Sequence, residues 1–382
     1  MEFVVSKANL LRELSLSQGV VEKKTTIPIL SNVLLEAVGD RVALSATDLE
    51  LGIRGWFPAK VKQEGAGTIP ARKLLDYVRL LPDAELSIKF QENHWASITC
   101  GRSRTRIAGM SRESFPELPR IPETIATLPA RLLSSMIQKT AFVISLEESR
   151  FTLNGALMLL NDGSMTMVAT DGHRLAFVES RNEGSTAASA FRALVPKKAM
   201  TEILRLTEDA GPESQVNFAG DENHLFFQVG DRLLITRKLT GNFPDYERVL
   251  PREHTLEARL NRDEIRSAIE RVAQFADERS RAIRVQFAPG EVRVYSQSME
   301  TGESEESVPS EYQGPELEIG FNAQYLLDFL RVIPQPEVMF ELKDSKSAGE
   351  MRPLSGGPEG RPGDIVAAGN QSYRYVVMPM RI

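Results

Sequence analysis

The chain has 382 residues, 42% of them apolar, with 46 basic and 52 acidic side chains and a formal charge of −6. That length supplies two or three domains with real cores, no run of eighteen apolar residues offers a membrane span, and the charged start MEFVVSKANLLREL lacks the apolar stretch of a signal peptide. A single cysteine, Cys100, excludes an intrachain disulfide and points to a reducing, cytoplasmic location.

In chain order, the first predicted helix covers residues 6–18. A strand–turn–strand pattern follows, with apolar runs at 33–38 and 42–45 around Gly39-Asp40, ending in Ala-Thr-Asp at 46–48. The second helix is predicted over 70–80, with a proline at N1 and Leu74, Leu75 and Val78 on one face. Arg102, Arg104 and Arg106 then alternate along one face of a strand, as on a solvated edge that resists mispairing. After a proline-bearing stretch at 115–122 the same order returns: a helix over 129–140, a hairpin turning at 161–163, Ala-Thr-Asp at 169–171 and a helix over 196–206. A second proline-bearing stretch at 243–251 opens a third round, with a helix over 261–273, a hairpin turning at Pro289-Gly290 and a helix over 322–332. Residues 346–372, rich in glycine and proline, are expected to form an inserted loop.

The second helices of each round align on Arg79, Arg205 and Arg331, spaced by 126 and 126 residues, and the two Ala-Thr-Asp motifs lie 123 apart. Repeated order at near-constant spacing predicts an α+β chain of three tandem repeats, each a domain of two helices and roughly eight strands, with boundaries at 1–121, 122–247 and 248–382. The six predicted helices hold 14 basic and 7 acidic residues, whereas the rest of the chain is acidic in excess. Segregation of this kind predicts a helical surface that attracts phosphates in a chain of negative net charge. Two such chains would supply twelve helices. Packed about 8–10 Å apart, and about 10 Å thick, they would enclose a hole of roughly 20–28 Å, enough for a DNA duplex.

Catalytic chemistry is hard to find. His94, His173, His224 and His254 are scattered without metal-ligand spacing, and neither a phosphate-binding glycine loop nor a nucleophile elbow is present, so no cofactor or metal is expected. Asp171 and His173 could serve as an acid–base pair in a cytosolic enzyme or scaffold. Asp48 occupies the same repeat position with no histidine beside it, which favours a structural aspartate at a strand end.

ATDGHRLA (169–176), FPDY (243–246) and YVVMPMRI (375–382), with IPIL (27–30), TDLE (47–50) and PARK (70–73), resemble the bacterial sliding clamp, the beta subunit of DNA polymerase III. The resemblance runs through the whole chain in order. It implies the DNA clamp fold, closing as a head-to-tail homodimeric ring with helices inside, that tethers the replicative polymerase to double-stranded DNA without chemistry of its own. It further implies a clamp loader and other partners carrying short peptide motifs, a glutamine followed by Leu and Phe anchors. The peptide pocket would comprise Leu153, Thr170, Gly172, His173, Arg174, Leu175, Pro244, Arg248, Val249, Val376, Val377, Met378, Pro379 and Met380, with His173, Arg174 and Arg248 at its rim. Lys24, Arg72, Glu147, Phe151 and Thr152 would face DNA, and Ile107 and Phe275 would occupy apolar positions at the dimer interface. Ser280 stands where relatives carry more bulk, which would leave one subpocket open.

Overall fold

Local chemistry sets the helix ends. Helix α1 (Lys7–Ser17) begins where the Ser6 hydroxyl accepts from the Asn9 N–H at 3.2 Å. Helices α2 (Ala71–Leu80), α3 (Ala130–Thr140) and α4 (Lys197–Ala210) each follow a strand that ends in proline, at Pro70, Pro129 and Pro196. The Asn261 and Asn322 side chains each accept two backbone N–H groups at the starts of α5 (Arg262–Val272) and α6 (Ala323–Val332). All six helices therefore start one residue later than the sequence suggests. The predicted first residue is the cap, and Pro70 and Pro196 close a strand rather than occupy N1. The hairpins pair as expected, Val38 with Arg41, Asn161 with Ser164 and Ala288 with Glu291. Gly39, Gly163 and Gly290 supply the left-handed backbone of these turns, at φ of 60°, 69° and 86°.

The computed structural model describes residues 1–22, 26–161, 163–181, 186–187, 190–298, 302–354 and 371–381. Its contacts cluster into two units, one of Met1–Ser134 with Lys198–Lys238 and one of Ser135–Lys197 with Leu239–Ile382. No described helix is long and apolar enough to cross a membrane.

In the first unit one antiparallel sheet runs in the order Lys60–Gln63, Glu2–Ser6, Glu85–Phe90, Trp95–Cys100, Ser103–Ala108. The other runs Ala126–Pro129, Gln215–Gly220, His224–Val229, Arg232–Arg237, Leu51–Pro58, Arg41–Thr47, Asn32–Val38, Gly65–Pro70. Helices α1 and α2 pack together, and Leu10 and Leu14 of α1 and Leu74, Leu75 and Val78 of α2 are buried. The buried Glu13 of α1 receives Arg232, which also reaches Asp209 of α4 at 2.7 Å.

In the second unit an eight-stranded antiparallel sheet runs Phe191–Pro196, Gly155–Asn161, Ser164–Thr170, Arg174–Arg181, Gln371–Val377, Gly349–Leu354, Glu337–Leu342, Leu256–Asn261. A four-stranded sheet runs Gly302–Pro309, Glu291–Ser298, Ala282–Ala288, Leu317–Asn322, and α5 packs on α6. Gly349–Leu354 is a strand paired with Glu337–Leu342 and with Gln371–Val377, so loop chemistry does not govern that part of the expected insertion. Its centre, 355–370, lies outside the described residues.

Both large sheets contain a strand pair that joins successive repeats. Arg232–Thr236 pairs with residues 51–55, and residues 371–377 pair with 174–180. With the 123-residue offset the registers coincide: Thr236 faces Leu51 as Val377 faces Arg174, and Ile235 faces Gly52 as Val376 faces Leu175.

Candidate functional site

The loop at 170–174 is built by its own side chains. Thr170 is buried; its hydroxyl donates to the Arg174 carbonyl at 2.7 Å and accepts from Gly172 N–H. Asp171 Oδ1 accepts from His173 and Arg174 N–H at 2.9 and 3.0 Å. Gly172, at φ 90°, completes the turn. The first repeat forms the same turn with Thr47, Asp48 and Leu49 at φ 78°, Asp48 Oδ1 accepting from Glu50 and Leu51 N–H. Asp171 is thus a turn-forming residue, and the acid–base reading with His173 loses its support.

Arg174 is not a rim residue. Its side chain is 9% exposed, and its guanidinium donates to Asp171 at 3.0 Å, Asp328 of α6 at 2.6 Å, the Tyr375 hydroxyl at 3.3 Å and the Phe142 carbonyl at 3.1 Å. It also lies 4.3 Å from the Tyr325 ring centre. Burial works against the charge, but the field of Tyr375 and the hydrogen bond to Asp328 outweigh it and raise its pKa. The neighbouring Tyr375 hydroxyl is pushed above its ordinary value by burial.

Beyond this pillar lies an apolar cluster of Leu153, Leu157, Val168, Leu175, Leu194, Phe243 and Val376, with Phe177, Tyr246 and Val249 packed against it. Of the residues proposed from sequence it gathers Leu153, Leu175, Val249 and Val376. Val377 is buried, and strand alternation turns it to the other face, with Tyr375. The backbone N–H of Met378 donates to the His173 carbonyl at 2.9 Å, and that of Met380 to the Gly320 carbonyl at 2.8 Å. Between these anchors Met378 is 36% exposed, and Pro379 is half-buried. Pro244 and Arg248 are exposed, Arg248 pairing with Asp245 at 2.8 Å. Phe243 and Tyr246, both in the FPDY motif, join the cluster beyond the residues that the resemblance implies. Ser280 sits in a turn where its N–H donates to Asp277 at 2.8 Å.

Models of the N-terminal, central and C-terminal domains of the DNA polymerase III beta subunit match residues 1–119, 127–245 and 247–356. The beta sliding clamp of Pseudomonas putida is 35% identical over 385 residues, covering all of both chains. The chain belongs to the bacterial beta sliding clamp family. A Pseudomonas aeruginosa sliding clamp solved with griselimycin is 34% identical with a TM-score of 0.91, and the Caulobacter crescentus clamp, solved with PEG at a putative beta-motif tethering region, is 36% identical with a TM-score of 0.90; each comparison covers both chains fully. As a sliding clamp the chain serves polymerase processivity on DNA and is not a catalytic subunit.

The helices of this clamp carry less free charge than their composition implies. Helix α4 runs four residues further than expected and adds Glu208 and Asp209, so the six helices hold 14 basic and 9 acidic residues. Arg12, Arg205, Arg262, Arg271 and Arg331 are paired with carboxylates. Arg72, Lys73 and Arg131 are exposed with no carboxylate partner among the described residues. Arg72 and Lys73 line a cleft of about 920 Å³ with Arg79, Arg205 and the buried Glu202, whose carboxyl burial raises despite Arg205 at 3.0 Å. Glu147 is held by Arg150 at 3.0 Å. Phe151 is 55% exposed, and Thr152 is half-buried beside it. Lys24 lies outside the described residues.

Ile107 is 5% exposed, on the edge strand Ser103–Ala108, and the half-buried Phe275 lies beside Gly302, at the start of another edge strand. Sequence spacing separates the histidines from other ligand types, yet folding brings His254 Nε2 to 3.4 Å from Glu341 and 3.5 Å from Glu350. Arg352 and Arg374 neutralise those two carboxylates at 2.6 and 2.5 Å, making an ion network rather than an open ligand set.

Proposed function

We propose that two copies of this clamp close head to tail into a ring around duplex DNA in the cytoplasm, each chain contributing three repeats bounded at 1–121, 122–247 and 248–382. The supporting observation is a pair of unpaired sheet edges of opposite charge. Ser103–Ala108 presents exposed Arg104 and Arg106, with Arg102 in the turn before it; Gly302–Pro309 presents exposed Glu303 and Glu305. Edge strands left open invite pairing, and complementary charge selects the head-to-tail partner. Lys24, Arg72, Phe151 and Thr152 then contact DNA without reading bases, and Glu147, a carboxylate paired to Arg150, offers phosphate no donor. Nicked circular DNA should retain the protein through gel filtration and release it on linearisation. Equal retention on linear DNA would overturn encirclement.

The cluster at 153–376 is the partner pocket in this reading. Leu153, Leu175 and Val376 form its wall, Val249 and Met378 its adaptable edge, and Gly172, His173, Pro244 and Arg248 its rim; Thr170 and Arg174 shape it from beneath. Short motifs of polymerase, clamp loader and other partners bind there with affinity around micromolar, roughly −8 kcal/mol. Removing residues 378–382 should abolish binding of a labelled Gln-Leu-Phe peptide while leaving the dimer intact. Unchanged affinity would place the partner site elsewhere.

A further inference from the structure

The first unit contains a junction equivalent to the partner pocket, strand for strand. Phe115-Pro116 repeats Phe243-Pro244, Leu30 repeats Leu153, and Ile235 repeats Val376. The lining nevertheless differs in kind. Gly52 stands where the second junction has Leu175, and the Leu118 side chain lies over it: a Cβ at position 52 would come within 2.9 Å of Leu118 Cδ2. The depression that takes apolar anchors at the second junction is thus already filled by the chain itself. Beside it remains a groove of about 470 Å³ lined by Arg41, Arg54, Trp56, Arg120, Ile121 and Leu233, among others, within the size range of ligand sites.

We propose that this groove is a second docking site, which takes an acidic linear peptide with one apolar anchor. Ile121, 38% exposed, and Leu233 offer the apolar contact. Trp56 is flanked by two guanidiniums, Arg41 at 4.9 Å and Arg54 at 5.1 Å from its ring centre. Arg41 and Arg120 are exposed and have no carboxylate partner among the described residues. Arg54 shares one carboxylate, Glu36, with Arg112, and its Nε is buried without an acceptor. Arg232 is satisfied by Glu13 and Asp209, and Asp231 is the acidic side chain in the lining. The groove therefore has spare guanidinium donors set around an apolar patch. Carboxylates match such donors in charge and, two oxygens to a fork, in shape. Nucleic acid fits less well, because guanidiniums already lie over the indole that a base would stack on.

The test uses the full chain and a fluorescein-labelled hexapeptide, Asp-Glu-Leu-Ile-Asp-Glu, followed by anisotropy. Saturable binding in the tens of micromolar is expected, weakening as salt rises. The Arg41→Glu/Arg120→Glu variant, altered only at exposed positions, should bind at least tenfold more weakly with an unchanged circular dichroism melt. Removal of residues 378–382 should leave this affinity unaltered, separating the site from the partner pocket. The proposal is overturned by absence of saturable binding, by equal affinity in the double variant, by loss of binding on C-terminal truncation, or by tighter arginine-dependent binding of a single-stranded oligonucleotide.

Discussion

Replacing Arg174 with methionine removes the hub of the second unit while keeping much of its volume. The guanidinium contacts two aspartates, one hydroxyl and one carbonyl, and stacks on Tyr325. Breaking a buried ion pair on one side costs about 3–5 kcal/mol, because the remaining charge is stranded. Here the lower end applies. Asp171 keeps its two backbone donors, and Asp328 keeps Gln324 Nε2 at 2.6 Å. About 3 kcal/mol corresponds to roughly a hundredfold faster amide exchange where opening passes through this unit. Hydrogen exchange should show that loss in strands Arg174–Arg181 and Gln371–Val377, with strands Arg41–Thr47 and Leu51–Pro58 of the first unit as the internal reference. Both tryptophans, Trp56 and Trp95, lie in the first unit, so their fluorescence should barely register the change. Arg174→Lys should recover only part of the protection, since an ammonium cannot reproduce the fork. A protection loss below fivefold, or one spread evenly over both units, would refute the hub.

Burial raises the Glu202 carboxyl above the ordinary glutamate value of 4.5, so the folded state pays for its charge as pH climbs through and beyond that value. Glu202→Gln should therefore exceed the parent in urea stability at neutral pH, the gap closing as pH falls towards 4.5; a gap widest in acid would contradict this. Gly52→Leu should destabilise the first unit by about 1–3 kcal/mol through collision with Leu118, and Leu118→Ala in the same chain should relieve it; a double variant no more stable than the single would disprove the packing argument. Reversing Arg104 and Arg106 to glutamate should yield monomers in light scattering, and adding Glu303→Arg and Glu305→Arg to that chain should restore dimers; failure of the restored pair would separate dimerisation from edge charge.

Periodic, local information was readable from the residues. Leu74, Leu75 and Val78 marked a buried helix face, glycine turns fixed three hairpins, and the shared Ala-Thr-Asp predicted equivalent aspartate turns. Long-range compensation was not. Arg174 looked like a rim cation because its partner Asp328 is 154 residues away. Helix charge was overcounted for the same reason: the acidic partners Asp209 of Arg12 and Glu306 of Arg271 come from distant segments. The apolar pocket was partly visible, since FPDY and the C-terminal strand carried it, but Leu157, Leu194 and Leu239 looked like ordinary strand and loop residues until folding placed them together.

The strand pairs that bridge successive repeats make the module of sequence and the module of folding different objects. The central repeat gives Gln215–Gly220, His224–Val229 and Arg232–Arg237 to one unit and Gly155–Asn161, Ser164–Thr170 and Arg174–Arg181 to the other. Excised alone, it would present Arg232–Arg237 and Arg174–Arg181 as two naked edges, each stripped of the neighbour that hydrogen-bonds it here. A fragment cut at repeat boundaries is thus primed to aggregate. Changes in Arg232–Arg237 or Arg174–Arg181 of the central repeat therefore bear on a sheet shared with the first or with the third.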